Sequence, residues 1–244
     1  MSTPRVLIIN PNTTASVTDR LTRHAREALP GAHVDAATAH FGARYIASEA
    51  AYTVAAHAVL DTWAAHAHED HDAVLIGCFG DPGLTALEEL CPAHVVGLAT
   101  ASMRAAAGHG RFAVVTGGAR WQPMLERLSQ AHGLATALAG IEILPQSGLD
   151  LQAGGDRALT HVRTACERAA ARWQVDAILV GGAALAGWGD RLAPHFDLPV
   201  LDSVSAGMAA LREVCTQARP QRVGPDGAAY VGISPALVAC MQMG

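Results

Sequence analysis

Cys78 is the side chain whose position suggests the most chemistry. It follows an apolar run, residues 73–77, that is typical of a buried strand, and it precedes a turn rich in Gly and Pro. Backbone N–H groups and a helix dipole beside such a turn stabilise a thiolate, and Pro82 suits the first position of that helix. The position therefore favours acid, base or nucleophile chemistry, with a small core residue as the alternative.

Two other turns follow apolar runs and carry small polar residues. Asn10, Pro11 and Asn12 come after one run, and Thr116 with Gly117 after another. The Asn amides could orient an amide or ureide of a substrate, or they could order a turn and cap the next helix. A hydroxyl next to glycine amides suits an anion, although glycines also serve tight turns. Because its turn lies at the carboxyl end of a strand, we expect Asn10 to contact substrate.

The histidines at 66, 68 and 71 lie among three carboxylates, and this composition resembles a metal cluster. Their spacing, at a helix end and in a loop, is not that of a metal site and favours a solvated polar tip. We predict no metal site.

Apolar runs and helical segments alternate along the chain, which is typical of βα units around a buried parallel sheet. The predicted strands are 5–10, 33–37, 73–77, 95–98, 112–116, 141–144, 177–181 and 200–202, and the predicted helices are 14–29, 49–69, 84–90, 101–108, 120–132, 151–173 and 203–217. An irregular surface segment is expected at 216–227.

Residues 71–84 and 175–188 share one pattern: Asp-Ala, four apolar or small residues, then a turn of small residues. The pattern predicts an α/β fold of two related halves, formed by 1–100 with 200–244 and by 101–199. Ligands of parallel sheets bind at the carboxyl ends of the strands, so we expect the four turns after Ile9, Gly77, Val115 and Gly181 to converge on one cleft.

Composition excludes several classes of protein. No apolar run is long enough to span a membrane or to form a signal-peptide core. The net charge of -5, with basic residues spread along the chain, argues against a nucleic-acid partner. Five scattered cysteines without paired spacing indicate reduced thiols. We expect a cytoplasmic protein that binds a small molecule.

Three stretches resemble the hydantoin racemase branch of the aspartate/glutamate/hydantoin racemase superfamily: residues 8–14 (I-I-N-P-N-T-T), 78–84 (C-F-G-D-P-G-L) and 199–204 (P-V-L-D-S-V). The resemblance implies two pseudo-twofold-related α/β halves that face each other across a small cleft. It also implies catalysis without metal or organic cofactor, with one cysteine from each half on either face of the substrate carbon. Relatives often associate, so a homo-oligomer is expected.

The chain departs from this family pattern in its second half. The family motif Leu-Gly-Cys-Ala-Gly-Met aligns with residues 180–185, which places Gly182 at the position of the second cysteine. A transfer between two cysteines therefore lacks one of its groups. If the alignment holds, Gly182→Cys should raise racemisation.

Three functions remain open. The first is racemisation or isomerisation, with the second proton carried by water, a histidine or the substrate. The second is decarboxylation of a substituted malonate, as in the single-cysteine arylmalonate decarboxylases, with an enolate protonated from one face. The third is a non-catalytic binding module. Trp188 either lines the pocket or packs against the sheet. The expected substrate-binding residues are Asn10, Pro11, Phe79, Gly80, Thr116, Gly117, Gly181, Gly182 and Ala183, and Cys78 is the expected catalytic residue.

Overall fold

The computed structural model describes residues 3–221 and 228–242, apart from the side chains of residues 148, 149 and 152. The irregular segment expected at 216–227 therefore lies partly outside the described residues.

All eight expected strands are present, and they contain the buried apolar runs of the sequence. They are β1 (Arg5–Asn10), β2 (His33–Thr38), β3 (Ala73–Ile76), β4 (His94–Gly97), β5 (Phe112–Gly117), β6 (Leu138–Leu144), β7 (Ala177–Gly181) and β8 (Val200–Asp202). The strands β1, β3, β5 and β7 are almost wholly buried, because inner strands of a parallel sheet are covered on both faces. The largest difference from expectation is in β6, which begins at Leu138 instead of residue 141.

The strands form two four-stranded sheets, with the orders β2-β1-β3-β4 and β6-β5-β7-β8. β1 is parallel to β2 and β3, and β7 is parallel to β5 and β8. The second order is the first order shifted by four strands, which supports an internal repeat. The predicted α/β class, with two parallel-sheet halves, is confirmed.

Helices connect the strands, as expected for βα units. They are α1 (Ala15–Ala28), α2 (Glu49–His66), α3 (Leu84–Leu90), α4 (Leu98–Ala107), α5 (Trp121–Ala131), α6 (Gly148–Ala153), α7 (Gly155–Trp173), α8 (Trp188–Leu192), α9 (Ser203–Val214) and α10 (Pro235–Gln242). The prediction of a single helix at 151–173 is wrong, because the helix is interrupted at Gly154 and Gly155 has a φ of 54°. Helices α8 and α10 were not predicted, because such short segments show little helical period. No helix in the described ranges is long and apolar enough to cross a membrane.

The described residues divide between two compact units. One is formed within Met1–Gly77, Asp81–Val96 and Leu211–Gly244, and the other within Cys78–Gly80 and Gly97–Ala210. The division predicted from sequence returns to the first half at residue 200. In the structure β8 pairs with β7, so the chain stays in the second unit through Ala210.

Each unit has an apolar core of its own. In the first unit, residues of β1 and β3 pack with α2, α3 and the C-terminal helix α10. In the second unit, residues of β5 and β7 pack with α7 and α8. Trp188 belongs to this second core and is buried, so it packs against the sheet.

Candidate active site

Cys78 lies in a tight turn just past the carboxyl end of β3. The N–H of Gly80 donates to the Cys78 carbonyl at 2.8 Å, and the Cys78 residue is 8% exposed. Helix α3 begins only at Leu84, because Asp81 and Gly83 both have a positive φ, of 54° and 76°. The expectation that Pro82 starts the helix is therefore wrong, and the thiol is not at a helix N-terminus.

The turn residues Cys78, Phe79 and Gly80 group with the second unit. There the ring of Phe79 lies against Gly181, where an added Cβ would be only 2.1 Å from Phe79 Cε1. Only glycine at 181 allows this approach. The structure thus brings the Cys78 turn next to the carboxyl end of β7, and binding of substrate by Phe79 and Gly181 stays a prediction.

Thr116 and Gly117 end β5, the neighbour of β7. The Thr116 hydroxyl donates to the Gly181 carbonyl at 2.8 Å, and both residues are buried. Gly117 pairs with Leu144 of β6 and is also buried. Thr116 therefore lies at the predicted place, but its proton is used within the protein.

Gly182 directly follows β7 and is half-buried. Its φ of 137° and ψ of 129° are in a region that residues with a side chain rarely adopt. Among the described residues, a Cβ added there would meet two atoms of Leu185, at 3.7 Å and 3.8 Å. The position has room for a small side chain, but its backbone conformation favours glycine.

Ser203 is a residue of this region that the sequence did not single out. It begins α9 directly after β8, is fully buried, and its Oγ accepts a hydrogen bond from the Gly182 N–H at 3.1 Å. Asp202 next to it accepts from the amides of Val204 and Ser205 and thereby caps α9. Ser203 lies in one of the stretches that carry the resemblance, which was the only available signal.

Ala183 begins a single 3-10 turn, Ala183–Leu185, which is closed by the Leu185 N–H donating to the Gly182 carbonyl at 2.9 Å. Ala183 is half-buried and thus remains accessible at the end of β7. The Ala183 N–H is the next backbone donor along the chain after the Gly182 N–H.

Asn10 and Pro11, at the carboxyl end of β1, belong to the first unit and are both buried. The Asn10 side-chain amide donates to Asn12 Oδ1, the Thr14 carbonyl and Thr18 Oγ1 at 3.0–3.2 Å, and Asn10 Oδ1 accepts from the Asn12 N–H at 3.1 Å. The side chain therefore orders its own turn. Contact between Asn10 and a substrate stays a prediction.

The carboxylates near the amino ends of β1–β3 form a separate network. His71 is buried, contrary to the solvated tip expected there, and its Nε2 lies 2.9 Å from Asp35 Oδ2. Arg5 Nη2 lies 3.2 Å from both Asp35 Oδ2 and Glu69 Oε2. The spacing of Asp35, Glu69 and His71 could hold a metal ion, but the Arg5 guanidinium already supplies a positive charge to the two carboxylates.

Asp35 is at the centre of this network. Burial acts to raise the pKa of Asp35, but hydrogen bonds from His71 and Arg5, with the nearby charge of His33, lower it below its ordinary value of 3.8. The carboxylate is therefore held in its charged form.

Comparison with known proteins connects this arrangement with one family. The Asp/Glu/Hydantoin racemase family matches residues 6–211. A hydantoin racemase of Pseudomonas sp. (strain NS671) is 31% identical over 206 residues, which cover 84% of this chain and 83% of that protein. The structure of an allantoin racemase from Klebsiella pneumoniae superposes with a TM-score of 0.82, at 30% identity and 87% coverage of each chain.

A more distant likeness concerns the fold alone. Arylmalonate decarboxylase superposes with a TM-score of 0.60 at 16% identity, over 96% of this chain and 97% of that one. The relatives that are about 30% identical in sequence over most of this chain are racemases. The chain is therefore an enzyme that belongs to the Asp/Glu/Hydantoin racemase family.

Proposed function

We propose that the protein racemises a small cyclic ureide, such as a 5-substituted hydantoin or allantoin, with Cys78 as the group that moves the proton. One observation carries the proposal: the Cys78 turn lies beside Gly181, at the end of β7. The substrate class follows the hydantoin and allantoin racemases to which the chain is similar.

In the proposed reaction, the Cys78 thiolate takes the proton from the carbon next to a ring carbonyl. The C–H electron pair moves toward that carbonyl and forms an enolate, whose negative charge backbone N–H groups stabilise. A proton delivered to the opposite face gives the other enantiomer, and the Cys78 thiol returns its proton to solvent. Gly182 has no side chain that could carry the second proton, so we assign that proton to water.

The substrate-binding set follows from position at the strand ends. We propose that substrate contacts Phe79, Gly80, Gly117 and Ala183 directly, with apolar contact from the Phe79 ring and a hydrogen bond from the Ala183 N–H. Thr116 near the end of β5, with Gly181 and Gly182 at the end of β7, forms the neighbouring surface that we propose the substrate meets. Contact of the substrate with Asn10 and Pro11 of the first unit stays a prediction.

The absence of a thiol at Gly182 supports a second candidate, decarboxylation of a substituted malonate. Loss of carbon dioxide leaves the C–C electron pair as an enolate, and a neutral Cys78 thiol would protonate it on one face only. This reaction needs no second proton-carrying side chain. The level of similarity to racemases makes it the weaker candidate.

Proton NMR in deuterated water separates the two reactions. Single-enantiomer 5-benzylhydantoin and allantoin, and phenylmalonate, are incubated with the native protein, with Cys78→Ser and with Cys215→Ser. Cys215 is a half-buried thiol outside the proposed site, so its variant controls for loss of a cysteine.

We expect deuterium to enter both hands of a ureide with the native protein and with Cys215→Ser. The rate should fall at least about a hundredfold in Cys78→Ser, because general acid–base groups contribute about 10² to 10⁴. Release of carbon dioxide from phenylmalonate with one deuterated hand would establish the second candidate instead. Turnover that survives Cys78→Ser would refute the role of this thiol.

We also propose a cytoplasmic location, which is supported by five cysteines that form no disulfide, because reduced thiols are usual there. Association into a homo-oligomer stays a prediction.

A further inference from the structure

One peptide group at the end of β7 is held at both of its polar atoms. Its carbonyl, on Gly181, accepts from Thr116 Oγ1 at 2.8 Å, and its N–H, on Gly182, donates to Ser203 Oγ at 3.1 Å. Thr116 belongs to β5 and Ser203 follows β8, and these strands are the two neighbours of β7. Two side-chain hydroxyls therefore continue the hydrogen bonding of the sheet beyond the strand.

The hydroxyls that hold this peptide are shielded from solvent. Ser203 is fully buried and Thr116 is 4% exposed, so water does not readily replace either hydroxyl. Removal of one would leave a buried backbone group without its partner, which is unfavourable. The pair thus fixes the plane of the peptide.

The fixed peptide has the conformation of a residue without a side chain. Gly182 has a φ of 137°, and within the described part of the chain the atoms near a Cβ built there belong to Leu185. The orientation of this peptide sets the direction of the next amide, on Ala183, and leaves the position of a side chain at 182 open.

We propose that Ser203 and Thr116 are positioning residues for the reaction: they hold the Gly181–Gly182 peptide so that position 182 stays open and the Ala183 amide faces the developing enolate. This inference rests on the proposed racemase function. Neither hydroxyl needs to touch substrate, since Thr116 donates its proton to Gly181 and Ser203 accepts from Gly182.

The proposal predicts an effect on kcat more than on KM. A misdirected amide stabilises the enolate less, while the substrate itself binds nearly as before. We therefore expect Ser203→Ala and Thr116→Val each to lower kcat about tenfold and to change KM less than about threefold. Thr116→Ser keeps the donor and should stay within about threefold of native kcat.

The control is Ser102→Ala. Ser102 is likewise fully buried in the second unit, but its hydroxyl donates to the Leu98 and Ala99 carbonyls of its own helix, at 2.7 Å and 3.0 Å. Racemisation of 5-benzylhydantoin or allantoin, whichever the native protein turns over, is measured for all variants. Amide hydrogen exchange of residues 178–185 is measured alongside.

We expect the Gly182 amide to exchange at least about tenfold faster in Ser203→Ala than in Ser102→Ala. In the double variant Ser203→Ala with Thr116→Val, the fold decrease in kcat should be smaller than the product of the two single decreases, because both hydroxyls act on one peptide. Ser203→Ala with the kcat and exchange of Ser102→Ala would overturn the proposal. So would a rise in KM alone. Failure of the racemase function would be recognised separately, as turnover that survives Cys78→Ser.

Discussion

Gly182 occupies the position expected for a second proton-carrying cysteine, yet its backbone adopts a φ of 137°. Residues with a Cβ reach this region only at a cost of about 1–3 kcal/mol. The glycine is therefore a requirement of the local conformation. A cysteine side chain at this position would therefore carry a conformational cost.

Gly182→Cys and Gly182→Ala should each lower the free energy of unfolding by about 1–3 kcal/mol, because both add the same Cβ to this backbone. Racemisation by Gly182→Cys should not exceed that of Gly182→Ala, in contrast to the gain expected from sequence. Urea unfolding and chiral chromatography of the product measure the two effects. A rate that rises only in the cysteine variant would show that the backbone adapts and restores a second base.

Cys166 is a buried thiol of the second unit. Cys166 lies on α7 and packs in the core of the second unit. Burial, with a contribution from the charge of Glu167, raises the pKa of its thiol to about 12. The thiol stays neutral at any ordinary pH. We expect iodoacetamide at about pH 8 to modify Cys78 and to spare Cys166 in the native protein, since the thiolate is the reactive form.

Peptide mass spectrometry after alkylation tests this expectation. A hydantoin present during the reaction should slow labelling of Cys78, while guanidinium chloride should expose Cys166. Labelling of Cys166 in the folded protein would contradict its place in the core.

Local pattern was enough to place Cys78 and the turns at Asn10 and Thr116 at the ends of strands, because each lies at the end of an apolar run. The partners of these residues were not predictable. Ser203 is 21 positions from Gly182, and Thr116 is 65 positions from Gly181. Such contacts depend on strand order, which a single sequence does not specify.

At the scale of the elements, ion pairs connect the amino ends of β1, β2 and β3. Arg5, Asp35, Glu69 and His71 contact one another there. The pKa of Asp35 is lower in the folded protein than in the unfolded chain, so its stabilising effect is present above about pH 4 and is lost as pH falls through the folded-state pKa.

Asp35→Asn tests this linkage. At about pH 7 the variant should be about 1–2 kcal/mol less stable than the native protein, because charged hydrogen bonds are lost from a carboxylate only 24% exposed. The difference should shrink toward about pH 3. Urea unfolding measures both values. The control is Asp156→Asn, because the ion pair of Asp156 with Arg191 is exposed and its loss should change stability less than the loss of the Asp35 carboxylate. An equal loss of stability in both variants would refute the linkage.

The type of each strand was predictable, since buried apolar runs between turns identify βα units. Helix ends were less so. Gly155 interrupts one predicted helix through its positive φ, whereas a glycine with a negative φ can continue a helix. The return of the chain to the first unit was misplaced because the pairing of β8 with β7 is a tertiary contact.

At the scale of the whole molecule, the family match ends at residue 211, but the first core does not. Helix α10 contributes Leu237 and Cys240 to the cluster formed by β1, β3 and α2. Leu237 is 1% exposed, so the C-terminal helix is part of the folded unit.

Leu237→Ala should lower the free energy of unfolding by about 2–5 kcal/mol, the usual range for truncation of a buried leucine. Val231→Ala is the control, because Val231 is 92% exposed and its truncation should change stability by less than about 0.5 kcal/mol. Thermal and urea unfolding measure both. Equal stability of the two variants would show that α10 does not contribute to the core.

The sheet orders leave β2 and β6 as corresponding outer strands. Each carries a carboxylate paired with an arginine: Asp35 with Arg5, and Glu142 with Arg168. Charged side chains on an outer strand discourage the addition of a strand from another molecule. The repeated architecture therefore places the same protection against edge-to-edge aggregation on one outer strand of each sheet, β2 and β6.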